Sequence, residues 1–239
     1  ILLSLLDRTK HAVSNEEIRY YLNGIYLHTE NDGEDKYLVA VATDGHRLAK
    51  IKALVNAQVP DIEGLIIHKK TIAEVVKLLE DSVGDVSVGI SSNKIMFQNE
   101  NHTITSKVVD GKFPDYRKAI PESCDKSLQL PTKELLKAID LVTAVSPDKN
   151  RTVKLSIGNS KVTLNTSSEF DGAKGTQTIA AEYNDAPISF GFNARYIVDS
   201  ISAIDGENVQ LSFTDSMAAV VCEDPDDPSY VAILMPMQI

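Results

Sequence analysis

The stretch "VKLSIGNSKVTL" at residues 153–164 decides the fold. Apolar and polar residues alternate over its first five positions, a short polar turn follows, and an extended pattern resumes. This is the pattern of a β-hairpin. The stretches "VSVGISSNKIMF" at 86–97 and "VQLSFTDSMAAV" at 209–220 align on it. The sequence therefore predicts three hairpins of the same design.

The surroundings of the three hairpins also repeat. Each hairpin follows an amphipathic stretch with helical spacing, which places Ile72, Val75, Val76 and Leu79 on one face in the first copy. A short strand precedes each helix, and a further strand follows each hairpin. The preceding strands are "GLIIH", "SLQLP" and "ISFGF", and the following ones are "HTITSKVV", "TQTIAAEY" and "SYVAILMP". The repeating unit is strand–helix–strand–strand–strand, with a period of about 60 residues.

The N-terminal part fits the same unit without its first strand. A helix comes first, and strands follow in "RYYLNGIYLHT", "YLVAVAT" and "RLAKI". Four copies make two domains of two units each, predicted at residues 1–121 and 122–239. Pro121 interrupts the pattern at this boundary. The predicted fold class is α+β, with antiparallel sheets and two helices in each domain.

Composition excludes several classes of protein. No apolar run approaches the roughly 20 residues of a membrane span. The opening "ILLSLL" lacks the basic region and cleavage site of a signal peptide. Cys124 and Cys222 lie far apart, which favours free thiols in a reducing cytoplasm. Because initiator Met and a helix cap are missing, we expect the chain to be part of a longer protein.

Motifs for catalysis or cofactor binding are sparse. The sequence contains no glycine-rich phosphate loop, and its five His residues show no metal-ligand spacing. The acidic run "EDPDDP" at 223–228 indicates a solvated loop. No residue is therefore assigned to a metal or a cofactor. In "VATDGHRLA" at 41–49, Asp44 and His46 are compatible with a turn or with a hydrolase pair, because Asp-Gly is foremost a turn dipeptide.

The distribution of charge is more informative than the total of −10. The four predicted helices, at 1–13, 68–81, 132–145 and 193–205, carry as many basic as acidic residues, so the other elements hold the whole negative charge. A helix-lined side could therefore admit DNA through weak phosphate contacts, although the pattern alone favours the alternative, in which the lysines only keep a helix face solvated. The candidate DNA contacts are Arg8, Lys10, Lys69, Lys70, Lys133 and Lys137.

Five ordered motifs identify a family resemblance. They are "RYYLNG" (19–24), "ATDGHRLA" (42–49), "TSKVVDGKFPDYRKAIP" (105–121), "GFNARYIVDSISAI" (191–204) and "MPMQI" (235–239). Together they resemble the bacterial sliding clamp, the beta subunit of the DNA polymerase III holoenzyme. The resemblance implies a DNA-clamp fold, here as the second and third of three domains. It also implies a non-catalytic cytoplasmic processivity factor that encircles duplex DNA as a head-to-tail ring dimer.

The resemblance also implies a protein-binding groove between the second and third domains. In this family the replicative polymerase subunit, the clamp loader and repair proteins insert a short peptide rich in Gln, Leu and Phe. The Asp-Gly-His-Arg-Leu turn would then serve recognition rather than catalysis. Carried over by motif, the groove comprises Leu22, Thr43, Gly45, His46, Arg47, Leu48, Pro114, Lys118, Asn193, Tyr196, Met217, Ala219, Ile233, Leu234, Met235, Pro236, Met237 and Ile239.

This sequence departs from the family pattern at four positions. Members often carry Arg where Lys118 and Gln238 stand, and a larger apolar residue at Ala119. Some members have an aromatic residue at the position of Asn150. We therefore expect a groove rim that is less basic and less apolar, above a floor that is kept.

Overall fold

A computed structural model describes residues 1–81, 84–145, 152–167 and 172–238. The chain divides into two compact domains, which we call unit 1 (Ile1–Tyr116) and unit 2 (Arg117–Ile239) and which are distinct from the shorter repeating unit of the sequence. The predicted domain boundary lies a few residues further along the chain. In the part of the chain that the structure describes, no helix is long and apolar enough to cross a membrane.

In its described residues, unit 1 contains two α-helices and seven strands. They are α1 (Leu2–Asp7), β1 (Gly24–Asp32), β2 (Asp35–Thr43), β3 (Arg47–Val55), β4 (Leu65–His68), α2 (Lys69–Glu80), β5 (Ser87–Ile90), β6 (Lys94–Gln98) and β7 (Thr103–Lys107). Strands β4, β1, β2 and β3 lie side by side in that order, and β5, β6 and β7 form a second sheet. All of these pairs are antiparallel, and α1 contacts α2.

The part of unit 2 that the structure describes contains two α-helices and eight strands. They are β8 (Lys126–Pro131), α3 (Thr132–Thr143), β9 (Thr152–Gly158), β10 (Lys161–Ser167), β11 (Lys174–Ala180), β12 (Ile188–Asn193), α4 (Ala194–Ile201), β13 (Asn208–Phe213), β14 (Val220–Glu223) and β15 (Tyr230–Leu234). Strands β15, β14, β13 and β8 are neighbours in that order, and a second sheet has the order β11, β10, β9, β12. The pairs are antiparallel, and α3 contacts α4.

The first two predicted hairpins are confirmed as β5–β6 and β9–β10. The third is β13–β14, but its connection spans residues 214–219 and its second strand begins only at Val220, later than predicted. In the second hairpin Gly158 pairs with Lys161, which leaves Asn159 and Ser160 as the two turn residues. Both have positive φ values, 52° and 57°. A two-residue turn of this kind matches the twist of the flanking strands, and Asn tolerates it well. The polar turn in the sequence therefore fixed the register of the hairpin.

The repeat extends to single hydrogen bonds. The Val109 N–H donates to the Ile66 carbonyl at 2.9 Å, and the Met237 N–H donates to the Gly191 carbonyl at 2.7 Å. Ile66 and Gly191 each stand three residues before the first residue of a helix. In both units the segment after the last strand is thus tied to the strand that precedes the second helix.

The predicted core faces are confirmed with one exception. Helix α2 buries Ile72, Val75 and Val76, but its fourth buried apolar residue is Leu78 and not Leu79. Helix α3 packs closely on β11, where a Cβ added to Gly175 would lie 2.4 Å from the Val142 carbonyl oxygen. A glycine is therefore needed at this contact.

Three predicted boundaries were wrong. The helix expected over 1–13 ends at Asp7, because the Thr9 hydroxyl donates to the Leu5 carbonyl at 2.7 Å and a 3-10 turn, Lys10–Ala12, follows. The helix expected over 193–205 ends at Ile201, where the chain tightens through a bond from the Ile204 N–H to the Ile201 carbonyl. The strand expected from residue 19 begins at Gly24, after the 3-10 turn Tyr20–Leu22.

Candidate functional site

The turn that joins β2 to β3 is organised by Asp44. Its Oδ1 accepts hydrogen bonds from the backbone N–H groups of His46 and Arg47 at 2.9 and 3.0 Å. Its Oδ2 accepts from Nε of Arg47 at 3.1 Å. Gly45 has a φ of +88°. The carboxylate therefore holds the turn, which is the ordinary role of Asp in such a position.

Arg47 is buried within unit 1, with 7% of its surface exposed. Besides Asp44, its guanidinium donates to the backbone carbonyl of His11. A second guanidinium braces the turn from outside, since Arg19 donates to the Asp44 carbonyl at 3.2 Å and forms two bonds with the Glu16 carboxylate, both at 2.8 Å. A charge buried with its partner mainly fixes local structure. Arg47 thus acts as an internal brace of the turn.

The predicted groove residues of unit 1 differ in accessibility. His46 and Pro114 are exposed, and Thr43 is half-buried. Leu22 and Leu48 are buried, with 3% and 2% exposed. The hydrolase reading of Asp44 and His46 gains no support, because three donors of the turn already occupy the Asp44 carboxylate.

Unit 2 presents exposed methionines. Met217, Met235 and Met237 have 60%, 44% and 45% of their surface exposed. The loop that carries Met217 is capped by Asp215, whose Oδ1 accepts from the Met217 and Ala218 N–H groups at 2.8 and 2.9 Å. Thioether side chains adapt their shape to an apolar ligand.

Backbone pairing brings these methionines and the start of α4 into one region of unit 2. Val220 pairs with Leu234, so the loop before β14 lies at the same end of the sheet as the residues that follow β15. Met237 bridges to Gly191, two residues before Asn193, which caps α4 by accepting from the Arg195 N–H at 3.0 Å. We call the residues Asn193, Tyr196, Met217, Ala219, Met235, Pro236 and Met237 the methionine surface.

The remaining predicted groove residues take different places. Ile233 and Leu234 are buried, each with 2% exposed, so they support the methionine surface from below. Lys118 is exposed in the 3-10 turn Tyr116–Ala119. Ile239 and Asn150 lie outside the described residues.

The six candidate DNA contacts are not equally available. Lys70, Lys133 and Lys137 are exposed. Nζ of Lys69 donates to Oδ1 of Asn15 at 2.8 Å, and Lys10 pairs with Asp7. Arg8 is half-buried, and its Nη2 atom is fully buried. The three exposed lysines are the ones best placed to meet a phosphate.

Several titratable groups are shifted by burial. Burial, followed by the charges of Lys69 and Lys70, lowers the pKa of His68. Burial raises the pKa of the Cys222 thiol to about 12 and also raises the pKa of Glu223. Among residues 1–81, 84–145, 152–167 and 172–238, no group of three or more His, Cys, Asp and Glu side chains could hold a metal ion.

Sequence reasoning missed Asp215 and Arg19 as supports of the two candidate surfaces. A usable signal was present for Asp215. The stretches "TDGH" at 43–46 and "TDSM" at 214–217 share a Thr-Asp pair, and in both turns the Asp caps the N–H groups two and three residues further on. No comparable pattern marks Arg19, since its contact with Asp44 spans 25 positions.

Known proteins resemble the chain over its whole length. The profile of the DNA polymerase III beta subunit, central domain, matches residues 1–115, and that of the C-terminal domain matches residues 117–238. The beta sliding clamp of Caulobacter vibrioides is 39% identical over 238 residues, covering 100% of this chain and 64% of the relative. That of Escherichia coli K12 is 32% identical over 235 residues, covering 98% of this chain and 63% of the relative.

Solved structures show the same likeness. The Caulobacter crescentus pol III beta superposes with a TM-score of 0.94 at 38% identity, covering 100% of this chain and 64% of that one. A Bartonella birtlesii sliding clamp bound to griselimycin gives a TM-score of 0.93 at 36% identity, again with coverage of 100% and 64%. The chain thus spans a little under two thirds of the length of the relatives it matches.

Proposed function

The chain belongs to the DNA polymerase III beta-subunit family and has the DNA-clamp fold, and we therefore propose that it acts within a sliding clamp. In this proposal it is a non-catalytic processivity factor of DNA replication in the cytoplasm. The full-length protein encircles duplex DNA, without reading its sequence, as a head-to-tail ring dimer. The replicative polymerase subunit, the clamp loader and repair proteins dock on it through a short peptide.

The methionine surface is the observation that carries the docking proposal. Three of the four methionines in the sequence are exposed there, next to the first turn of α4. An exposed cluster of adaptable apolar side chains suits a peptide with buried Leu and Phe side chains. Unit 1 would add His46, whose ring suits peptide carbonyls and a Gln side chain, next to Thr43, whose hydroxyl donates within the turn to the Arg47 carbonyl at 2.7 Å. The remaining groove residues implied by the family resemblance complete the proposed set.

Calorimetric titration with a Gln-x-x-Leu-Phe peptide tests the docking proposal. Two buried apolar side chains contribute roughly 1.5–3 kcal/mol each before ordering costs. We therefore expect a dissociation constant near the micromolar level, which corresponds to a binding free energy of about −8 kcal/mol. Deleting residues 235–239 should abolish binding. The change His46→Ala should weaken it only about 2- to 10-fold, because a rim hydrogen bond contributes about 0.5–1.5 kcal/mol.

Point variants separate loss of contact from loss of folding. The double change Met235→Ala and Met237→Ala leaves the backbone bond to Gly191 possible and should weaken binding at least about tenfold. The matched control is Val88→Ala, which removes an apolar side chain of similar exposure, 42%, outside the proposed set. Equal effects of the double change and the control would place the peptide elsewhere.

The exposed lysines support the proposed contact with DNA. In the full-length ring on circular DNA, Lys70→Ala together with Lys133→Ala should shorten residence at low salt and reduce the salt dependence of binding. Each exposed phosphate contact adds at most about 1 kcal/mol. Lys161→Ala, an exposed lysine on β10, is the control. Unchanged residence of the double variant at low salt would contradict the assignment.

A further inference from the structure

The internal repeat relates the methionine surface to a second region, in unit 1. Aligning residues 86–97 with 209–220 places the β5–β6 turn opposite the loop that carries Met217. Aligning 102–109 with 229–236 places Val108 opposite Met235. Two backbone bonds agree with this correspondence to within one residue, since Val109 donates to Ile66 and Met237, which aligns with Asp110, donates to Gly191. Unit 1 therefore has its own version of the methionine surface.

In unit 1 this region forms a cleft of about 880 Å³. Its walls are the loop before β4, the β5–β6 turn and the segment that follows β7. Five aliphatic side chains line it with part of their surface accessible: Ile62, Leu65, Val108 and Val109 are half-buried and Ile90 is 44% exposed. The volume and the apolar lining lie within the usual range of ligand sites.

The cleft walls are held in place by contacts within unit 1. The Tyr26 hydroxyl donates to the Glu63 carbonyl at 3.2 Å, and its ring stacks on Phe113 with centroids 4.9 Å apart. Gly64 has a φ of +133°, and an added Cβ would lie 2.1 Å from the Tyr26 hydroxyl. The Val108 N–H donates to the Asn93 carbonyl at 3.1 Å. A preformed cleft lowers the ordering cost of binding.

Charge distinguishes this cleft from the methionine surface. Asp61, Glu63 and Asp110 line it together with a single cation, Lys107. Asp61 is compensated by Lys36, whose Nζ lies 2.8 Å from its Oδ1. Glu63 and Asp110 are exposed, and no ion pair with another residue of the described ranges is seen for either. The rim therefore favours a cationic group beside the apolar lining.

We propose that this cleft is a second peptide site, which takes an extended segment with an aliphatic or aromatic side chain next to Lys or Arg. The apolar side chain contacts Ile90 and Val108, and the cation faces Glu63 and Asp110. That the ligand is a peptide is taken from the peptide binding proposed for the methionine surface, and the inference rests on the proposed function for this point. The two sites are expected to differ in preference, because Glu63 and Asp110 give the unit 1 cleft an acidic rim.

Methyl NMR of the 239-residue chain tests this proposal. The probe is a capped Ala-Lys-Leu-Phe-Lys-Ala peptide, and its control carries Glu in place of both Lys residues. We expect the basic peptide to shift the methyl signals of Ile90 and Val108, and the acidic control to bind at least tenfold more weakly. Ile90→Glu should weaken binding of the basic peptide at least tenfold, and Glu63→Lys with Asp110→Lys should reverse the preference for charge.

Two comparisons keep the proposal separate from the function proposed above. The Met235→Ala, Met237→Ala variant should bind the basic peptide unchanged, although it loses the Gln-x-x-Leu-Phe peptide. Circular dichroism checks that each variant is folded. Glu63→Gln is a second variant that adds no bulk, and it should weaken binding of the basic peptide by a smaller factor than Ile90→Glu does. Shifts confined to Met235 and Met237, or shifts of the cleft by a DNA oligonucleotide and not by the basic peptide, would overturn the proposal.

Discussion

His68 and Asn193 cap corresponding helices of the two units in the same way. Nδ1 of His68 accepts from the Lys70 N–H at 3.2 Å, and Oδ1 of Asn193 accepts from the Arg195 N–H at 3.0 Å. Each residue immediately precedes its helix and donates nothing through the capping atom. His68 can therefore cap α2 only while Nδ1 is unprotonated, whereas Asn193 caps α4 at any pH.

The difference between these caps predicts a pH dependence of stability. The pKa of His68 is lowered in the folded state, so below about pH 6.5 the unfolded chain binds more protons at this residue. Its contribution to stability is present above that pH and is lost as the pH falls through the folded pKa. His68→Asn, which copies the unit 2 cap, should remove this loss.

Urea denaturation of the parent chain and of His68→Asn between pH 7.5 and about 5 measures the pH dependence of the free energy of unfolding. The variant should gain stability relative to the parent chain as the pH falls. His102→Asn, at an exposed His of the β6–β7 turn that caps no helix, is the control for removal of an imidazole. A constant difference between His68→Asn and the parent would contradict the capping argument.

Asp44→Ala should destabilise the chain far more than His46→Ala. Removing the carboxylate leaves two backbone N–H groups and the buried Arg47 guanidinium without that acceptor, at a cost of about 2–4 kcal/mol. The exposed His46 side chain should change stability by no more than about 0.5 kcal/mol. Unfolding free energies from urea titration test this order, which a catalytic role for the pair would not require.

Gly175→Ala should be destabilising by about 1–3 kcal/mol, because the new methyl group would press on the α3 backbone. The matched control is Gly89→Ala on β5, where an added Cβ would meet only the flexible end of Met96, at 3.3 Å. Thermal unfolding should show a lower midpoint for the first variant and little change for the second. Similar midpoints would mean that α3 moves away from β11 at little cost.

The two cysteines should react at very different rates with a thiol reagent at pH 8. Cys222 is fully buried with a pKa of about 12, so its reactive thiolate is scarce as well as inaccessible. Cys124 is half-buried, and burial together with Glu223 and Asp125 raises its pKa more modestly. One thiol should therefore react in the native protein and a second only in urea, and Cys124→Ser should remove the native reaction.

Local pattern was sufficient to predict the hairpins, and insufficient for helix ends. Alternation over 153–157 and the turn residues Asn159 and Ser160 specify strand, turn and register within a dozen positions. The end of α1 depends on the Thr9 hydroxyl, which competes for a helical carbonyl, and apolar periodicity carries no information about such a bond. The prediction of Leu79 instead of Leu78 as a core residue was wrong for a similar reason. Apolar periodicity alone hardly distinguishes which of two adjacent leucines is the buried one.

For the candidate site, sequence identified the residues better than their roles. The resemblance selected Met235 and Met237, which are indeed exposed. It also selected Arg47, which stays in the proposed groove set but is enclosed by its bonds to Asp44 and His11. Burial of a charge depends on residues distant in sequence, so a motif alone does not reveal it. The acidic rim of the unit 1 cleft likewise comes from two separate stretches of chain, one with Asp61 and Glu63 and the other with Asp110.

The backbone bonds of Val109 and Met237 have a consequence for solubility. Strands β4 and β12 each stand last in their order of neighbours, next to β1 and β9. A strand in that position offers free N–H and C=O groups to any other molecule, which is a route to aggregation. The segment tied to each strand occupies one of those groups, the carbonyl of Ile66 on β4 and that of Gly191 on β12. A chain cut before Met237 should therefore be prone to intermolecular β pairing along β12.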